Sequence, residues 1–523
     1  RDWSSDVCSS DLYRPCSSNV PLVTIASRPP PYTARSCKSD AFVNFRFNHL
    51  YGLLLCAFTL VTLPAWADNS VGADEPVADE TSMARFQSTY IWQKKKAFQA
   101  AYSGPNSLTT QAERSYTLTL DAYLGFKPWK DGEVYFVPEI NQGLPLSSLT
   151  GLGGFTNGEA TRVSGTNPTL YRQKLFLRQT WNQGGGQEKV DAAVDQMAGT
   201  VDRNRWVLTV GNFSTLDVFD DNAYAKDPRT QFLNWSGMSH TSYDYAADAR
   251  GFGWGAALEW YQGPWVLRAG RMTGPTTPNG QPVDLRIFKH YGDQFEVEHA
   301  HELAGQPGKV RVLAWRARAQ LARYDAALAY GLANPNAADK QWIAAVRGPE
   351  QTKYGLGLNI EQAINPESGV FMRAMKADGK TETYAFAEAD ASFSTGYASS
   401  GKAWGRSQDT VGFMLARNML SADRRAYLAA GGISFFIGDG ALRYKPETLV
   451  ELYYNMNVHK NLWVSLDYQR ISNPAYNAAQ YMPERVRMLQ AWADWLAAST
   501  RMYELIKKAF CEGGEKKFCD PAK

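Results

Sequence analysis

The densest group of side chains able to bind or orient a solute lies between Phe219 and Arg229, where Asp220, Asp221, Lys226, Asp227 and Arg229 crowd one short stretch. Arg203, Arg205, Asp248 and Arg250 stand close by in sequence. Carboxylates and guanidinium groups both hydrogen-bond to hydroxyls. Set against each other across a narrow aqueous gap, they would also impose a transverse field on a polar solute. Tyr224, Phe232 and Trp235 add flat faces on which a polyhydroxylated ring could stack. The competing reading of the same stretch is an ordinary solvated loop. His299-Ala-His301 has the spacing of two metal ligands on one strand face, but no third ligand is evident, so these histidines read as interfacial or loop residues. Gly151, Gly153 and Gly154, and Gly184 to Gly186, precede neither Lys-Ser/Thr nor a helix start, and they read as turns. No cofactor is expected. Ser239 beside His240 keeps open a hydrolase with a triad of Ser, His and Asn or Asp, although no nucleophile elbow appears.

These groups must be carried by strands. Transmembrane strands alternate apolar and polar residues over about 10 positions. From Tyr116 to Leu124, Tyr116, Leu118, Leu120, Ala122 and Leu124 face one way, and Thr117, Thr119, Asp121 and Tyr123 the other. Thr448–Val458 sets Val450, Leu452, Tyr454, Met456 and Val458 against Glu451, Tyr453, Asn455 and Asn457. Asn461–Gln469 sets Leu462, Val464, Leu466 and Tyr468 against Trp463, Ser465, Asp467 and Gln469. Elsewhere the polar face carries Arg172, Lys174, Arg178, Glu259, Glu296, Glu298 and Glu361. A packed sandwich core cannot hold so many charges, whereas a water-filled lumen can. Trp181, Trp206, Trp260, Trp265, Trp315, Trp463 and Tyr468 recur near strand ends, as interfacial girdles require. The fold class is therefore all-β, a transmembrane antiparallel barrel of about 16 strands between Ser115 and Asn477. The 13 % aromatic content and 43 glycines fit many short strands and tight turns.

The ends differ in character. Arg1 to about Asp40 shows no periodicity and reads as non-native upstream sequence. Residues 41–67 read as a signal peptide: Lys38 and Arg46 precede the apolar run Leu50–Leu63, and Ala65-Trp66-Ala67 supplies the small residues before a cut. Residues 68–114 would form an N-terminal periplasmic segment, and 478–523 a helical tail, with Val486, Leu489, Ala493 and Leu496 at helical spacing. The six cysteines lie only at the ends, none between Ala57 and Phe510, which excludes disulfide scaffolds, zinc sites and thiol chemistry from the body. A net charge of +3 over 523 residues gives no footprint for nucleic acid.

Six segments resemble the carbohydrate-selective porins of the OprB-like kind: Tyr102-Ser-Gly-Pro-Asn-Ser-Leu108, Gly151-Leu-Gly-Gly-Phe-Thr-Asn-Gly-Glu159, Leu175-Phe-Leu-Arg-Gln-Thr-Trp181, the stretch from Phe219-Asp-Asp-Asn to Leu233-Asn-Trp235, His290-Tyr-Gly-Asp-Gln294 and Leu466-Asp-Tyr-Gln-Arg-Ile-Ser-Asn-Pro474. The resemblance runs from about Tyr90 to Asn477. It implies a 16-stranded barrel in the outer membrane of a Gram-negative bacterium that passes sugars by diffusion. Outer-membrane lipid, lipopolysaccharide and the barrel insertion machinery are then its expected partners, with a homotrimer as a further possibility. Such porins end in a strand closed by an aromatic residue, commonly Phe, and here the helical tail stands in its place. Arg178, Asp220, Asp221, Asp227, Arg229, Asp248, Arg250, Glu296 and Glu298 are the candidate pore-lining and substrate-binding residues. A general or anion-selective porin is the alternative. Stacked aromatics in the lumen favour sugars, and an arginine ladder alone favours anions.

Overall fold

The computed structural model describes residues 41–50 as backbone, and residues 79–100, 103–160, 165–335 and 342–477 in full. The tail expected from residue 478 onward lies outside the described residues, as do Arg1 to Asp40 and residues 51–67 of the expected export signal. The strands are β1 (Ala41–Leu50), β2 (Ser82–Lys95), β3 (Glu113–Trp129), β4 (Gly132–Leu144), β5 (Thr169–Asn182), β6 (Gln187–Val190), β7 (Gly199–Asp202), β8 (Arg205–Phe213) and β9 (Gly253–Gln262). They continue with β10 (Trp265–Thr273), β11 (Tyr291–Leu303), β12 (Gln306–Gln320), β13 (Glu350–Asn365), β14 (Ser368–Ala377), β15 (Ala391–Gly401), β16 (Arg406–Met419), β17 (Glu447–His459) and β18 (Leu462–Ser472). Among the described residues all but β6 and β7 close into one antiparallel barrel, and those two form a separate hairpin.

The barrel stands because alternation places water-seeking groups inside and apolar ones outside. Along β17 and β18, Glu451 is 0 % and Asp467 2 % exposed, while Leu452 and Leu466 are each 48 % exposed. Phe86, Leu124, Phe136, Val210, Leu258, Phe295, Val312, Leu356, Phe393 and Phe413 continue the outward apolar belt on other strands. Its apolar residues would be costly in water and suit hydrocarbon. A charge in that belt tests the assignment. Leu452→Arg should destabilise the folded barrel by about 2–4 kcal/mol, measured by denaturant unfolding in lipid bilayers, whereas a neutral result would place Leu452 away from lipid.

The connections at one rim are tight, apart from the one that joins β5 to β8 through the β6–β7 hairpin. Between β11 and β12 the turn is Ala304-Gly305, both with positive φ (51° and 74°), a backbone that the second position meets with glycine. The opposite rim carries the long segments 145–168, 214–252, 274–290, 321–349, 378–390 and 420–446. Short turns face the periplasm and long loops the exterior in such barrels.

Three features differ from the sequence reading. The wall starts before Ser115, because β2 pairs with β3 along its whole length from Ser82↔Phe126 to Lys95↔Glu113. Its inward face mixes Arg85, Gln87 and Thr89 with buried Met83 and Ile91, so the contrast between faces is weak. Second, the backbone of β1 pairs with both β18 and β2 and supplies the sixteenth strand. A chain cut after Ala67 would lack that strand. Third, Trp315 belongs to no girdle: it points inward, its Nε1 donates to Met375 Sδ at 3.3 Å, and Tyr243 lies against it.

Candidate functional site

The lumen is narrowed chiefly by residues 214–252, the inner loop between β8 and β9. Its course is set by fixed wall partners around most of the ring. Asp220 N donates to Glu296 of β11 at 2.9 Å, and the Asp220 carboxylate takes Arg373 Nε of β14 at 3.0 Å and Asn359 Nδ2 of β13 at 2.6 Å. Further along, Leu233 N donates to Glu451 of β17 and Asn234 Nδ2 to Gln469 of β18. Arg229 reaches the far wall, pairing with Asp121 of β3 at 3.1 Å and with Glu159 at 3.0 Å. Phe232 wedges beneath this crossing against Phe371 and Tyr453. Other segments turn inward as well. Gly153 N and Gly154 N of segment 145–168 donate to Glu447, at 2.9 and 3.0 Å. From the short-turn rim, Asp195 pairs with Lys174 at 2.9 Å, and Met197 N donates to Tyr135.

Between segments 145–168 and 214–252, joined by Phe386 and Phe436 from two further long-loop segments, lies a cavity of about 140 Å³. Its lining holds an aromatic cluster, Phe155, Trp235, Tyr245, Phe386 and Phe436. Trp235 and Phe386 stack at 5.2 Å and 19°, and Tyr245 packs on Phe386 at 4.3 Å. It also holds a polar group, Glu139, Tyr171, Gln173, Glu159, Arg229 and Arg250. Trp235 Nε1 has no hydrogen-bond partner among the described residues. Burial pushes the Glu159 carboxyl above its ordinary range, opposed by the Arg229 guanidinium.

The nine candidate residues divide by role. Arg229 and Arg250 line the cavity, and Arg250 lies over the Tyr171 ring at 4.4 Å. Among the described residues Arg250 makes no ion pair. Asp227 and Asp248 point at backbone instead of the cavity: Asp227 Oδ1 accepts from Arg229 N and Asp248 Oδ1 from Arg250 N, both at 2.9 Å, so each carboxylate shapes the turn that presents an arginine. Asp220 is fully buried, which corrects its placement as a pore-lining group; it is the anchor of the inner loop. Glu296 and Glu298 belong to the same scaffold, joined by Arg268 Nη1 at 2.9 Å to each. Asp221 pairs with Lys226 at 2.6 Å, which holds its carboxyl below the ordinary range against the upward push of burial. Arg178 stands apart, near the short-turn mouth, bound to Gln196 and 3.5 Å from Glu133.

Ser239, His240 and Asp220 do come together, but not as a triad. The Ser239 hydroxyl and His240 N both donate to Asp220 Oδ2, at 2.9 and 3.1 Å. All three side chains are shut off from the lumen. Burial, aided by Arg373 and opposed by Asp220, lowers His240 to about 4, so the ring is neutral. His299 and His301 face outward, His299 edge-on to Trp265 and His301 bonded to Gln362.

Tyr171, Gln173 and Glu139 escaped the sequence reading for a local reason. Pairing shifts between Val137 and Pro138, since Val137 opposes Lys174 and Pro138 opposes Arg172. Pro138 has no N–H to give the ladder. The bulge leaves both Gln173 and Lys174 buried on the lumen side. It also turns Arg172 outward, over Trp254 at 4.9 Å, which corrects its placement on the polar face.

The arginines of the wall are matched by acids. Arg268 meets Glu259, Glu296 and Glu298, Arg311 meets Glu298 and Glu361, and Arg373 meets Asp220. A closed, lipid-facing barrel with an occluding inner loop and a charge-balanced, aromatic-walled eyelet defines an outer-membrane diffusion channel. The chain belongs to the carbohydrate-selective porin, OprB family, whose model matches residues 106–488. It is an outer-membrane porin of a Gram-negative bacterium through which sugars diffuse. Among solved structures it is similar to the high-pH form of Pseudomonas putida OprB, with a TM-score of 0.51 at 13 % identity over 83 % of this chain and 93 % of that one. The low-pH form matches at a TM-score of 0.33 and 10 % identity, over 83 % of this chain and 91 % of that one. The outer membrane channel DcaP of Acinetobacter baumannii gives 0.34 at 10 % identity, over 83 % and 96 %. No curated protein matches.

Proposed function

We propose that a sugar crosses the eyelet with one ring face against the Trp235–Phe386 wall and its hydroxyls toward Arg250, Arg229, Gln173 and Glu139. The observation that carries this reading is that a stacked aromatic cluster and a mixed acid, amide and guanidinium cluster line one cavity. A pyranose has the same two-sided character, apolar on its C–H faces and polar around its rim. Because most wall arginines are already paired, the lumen gives anions little net advantage, which favours sugars over the anion-selective reading. Weak, replaceable contacts suit conduction, which needs release as much as entry.

Two variants test it. Trp235→Leu should lower glucose flux several-fold relative to potassium chloride conductance. Arg250→Gln, whose side chain anchors no ion pair, should slow glucose and also shift the reversal potential toward cations. The measurements are liposome swelling and planar-bilayer recording under a salt gradient. If both variants keep the wild-type ratio of sugar flux to ion conductance, the path lies elsewhere.

A further inference from the structure

The outer face of the barrel carries a charged group where the lipid-facing belt meets the long-loop rim. Arg271 of β10, Asp293 of β11 and Arg316 of β12 all occupy outward positions, alternating with inward Met272, Gln294 and Trp315. Arg271 Nε and Nη2 donate to the two Asp293 oxygens at 2.6 and 2.9 Å, and Arg316 Nε donates to Oδ2 at 2.8 Å. One carboxylate thus holds two guanidinium groups, and Arg316 remains half exposed (53 %). Beside them Arg318 binds Glu350 at 2.5 Å, with Lys289 at 4.0 Å from the same acid. Four cations face two acids, a net charge of two positive. The Tyr291 ring, 4.1 Å from the Arg271 guanidinium, fixes the plane of this array.

Directly below lies a recess of about 430 Å³ in the wall, between Leu208, Ala256, Leu258 and Ala269, with Arg271 and Asp293 among its lining residues. Small side chains at 256 and 269 open it where neighbouring strands present Leu and Phe. Above, Leu285 and Phe288 stand 68 % and 77 % exposed on segment 274–290, and the Phe288 ring is 5.2 Å from Arg271. Exposed apolar residues beside outward-facing arginines belong at a membrane interface, not in bulk water. The long-loop rim faces the outer leaflet, whose lipid carries phosphates on a sugar head above several acyl chains.

We propose that this face binds one lipopolysaccharide molecule, its lipid A phosphate held by Arg271, Arg316, Arg318 and Lys289 and one acyl chain lying in the recess. Guanidinium groups already oriented by Asp293 present further N–H groups to phosphate at little entropic cost. The inference rests on the outer-membrane placement of the barrel and not on the sugar path.

The test uses the full chain, delipidated in detergent and titrated with diphosphoryl lipid A, with its dephosphorylated form and with phosphatidylglycerol, bound lipid being counted by native mass spectrometry. Diphosphoryl lipid A should bind most tightly. Arg316→Gln with Arg318→Gln should weaken it by at least about tenfold, and Ala269→Leu, which fills the recess, should weaken it similarly. All variants should keep wild-type glucose flux and heat-modifiable electrophoretic mobility, since these side chains lie outside the lumen. Equal binding of the phosphorylated and dephosphorylated lipids, or unchanged binding in the variants, would overturn the proposal. So would the finding that Ala269→Leu leaves lipid binding intact and splits an oligomer, which would make this face a contact between copies.

Discussion

Asp220→Ala should release the inner loop and widen the channel. The Asp220 carboxylate is the meeting point of Arg373, Asn359, Ser239 and the His240 backbone, and no part of it reaches solvent. Removing it leaves the Arg373 guanidinium buried without its counter-charge, a change that costs about 3–5 kcal/mol. Asp220 is the point at which the loop is bonded to β11, β13 and β14, so the loss falls on that part of the loop first. Single-channel conductance should rise, and larger oligosaccharides should begin to pass. Asp220→Asn, which keeps the shape but not the charge, should give a smaller rise. An unchanged conductance in Asp220→Ala would mean that Glu451 and Arg229 alone hold the loop.

Acid should act on the same anchor. His240 is lowered to about 4 by burial, so the folded protein favours its neutral ring. The unfolded imidazole titrates near 6.5. The contribution is therefore complete above about pH 6.5 and declines as the pH falls toward 4, by about 3 kcal/mol in all. Although burial pushes Asp220 upward, the Arg373 guanidinium and the Ser239 hydroxyl outweigh it, and the acid sits below its ordinary range. Its own contribution is present above the unfolded value and is lost only as the pH falls through the folded one. Both changes loosen the loop in acid, with His240 first.

The second large effect concerns closure. The fifteen wall strands from β2 to β18 leave one edge on each of those two strands, and the β1 backbone fills both, from Ala41↔Arg470 to His49↔Leu462 and from Phe42↔Lys95 to Leu50↔Gln87. Without a sixteenth strand, those N–H and C=O groups face hydrocarbon, and each unsatisfied group costs several kcal/mol. A chain limited to residues 68–477 should fail to form a heat-modifiable, protease-resistant barrel. Supplying a strand for the gap, either residues 41–50 or a C-terminal strand ending in Phe, should restore it. A stable barrel from residues 68–477 alone would show that the ring closes with fifteen.

Much of the wall was legible because period-two alternation is a local property. Leu452 and Leu466 face outward and Glu451 and Asp467 inward, as the pattern required. The pattern failed where a local rule breaks or a distant partner decides. Pro138 shifts the register beside Gln173 and reverses which neighbours face the lumen. Tryptophans collect at interfaces, yet Trp315 lies in phase with inward Arg311, Leu313 and Ala317 on β12, where it meets Met375 and Tyr243, residues far away in sequence. The segment around Asp220 was recognisable as charged and inward-folding. Which acid would vanish against Arg373, and which arginine would stay at the opening, depended on contacts more than a hundred positions apart.

Uncharged sugars should diffuse through this barrel by way of the eyelet. Swelling of liposomes containing the purified porin, in isotonic sugars of graded size, tests it most directly. The expected result is fast glucose entry, slower disaccharide entry and negligible entry of larger oligomers, with all rates well above those of protein-free vesicles. Glucose rates no faster than in protein-free vesicles, alongside normal chloride conductance in the same preparation, would contradict it.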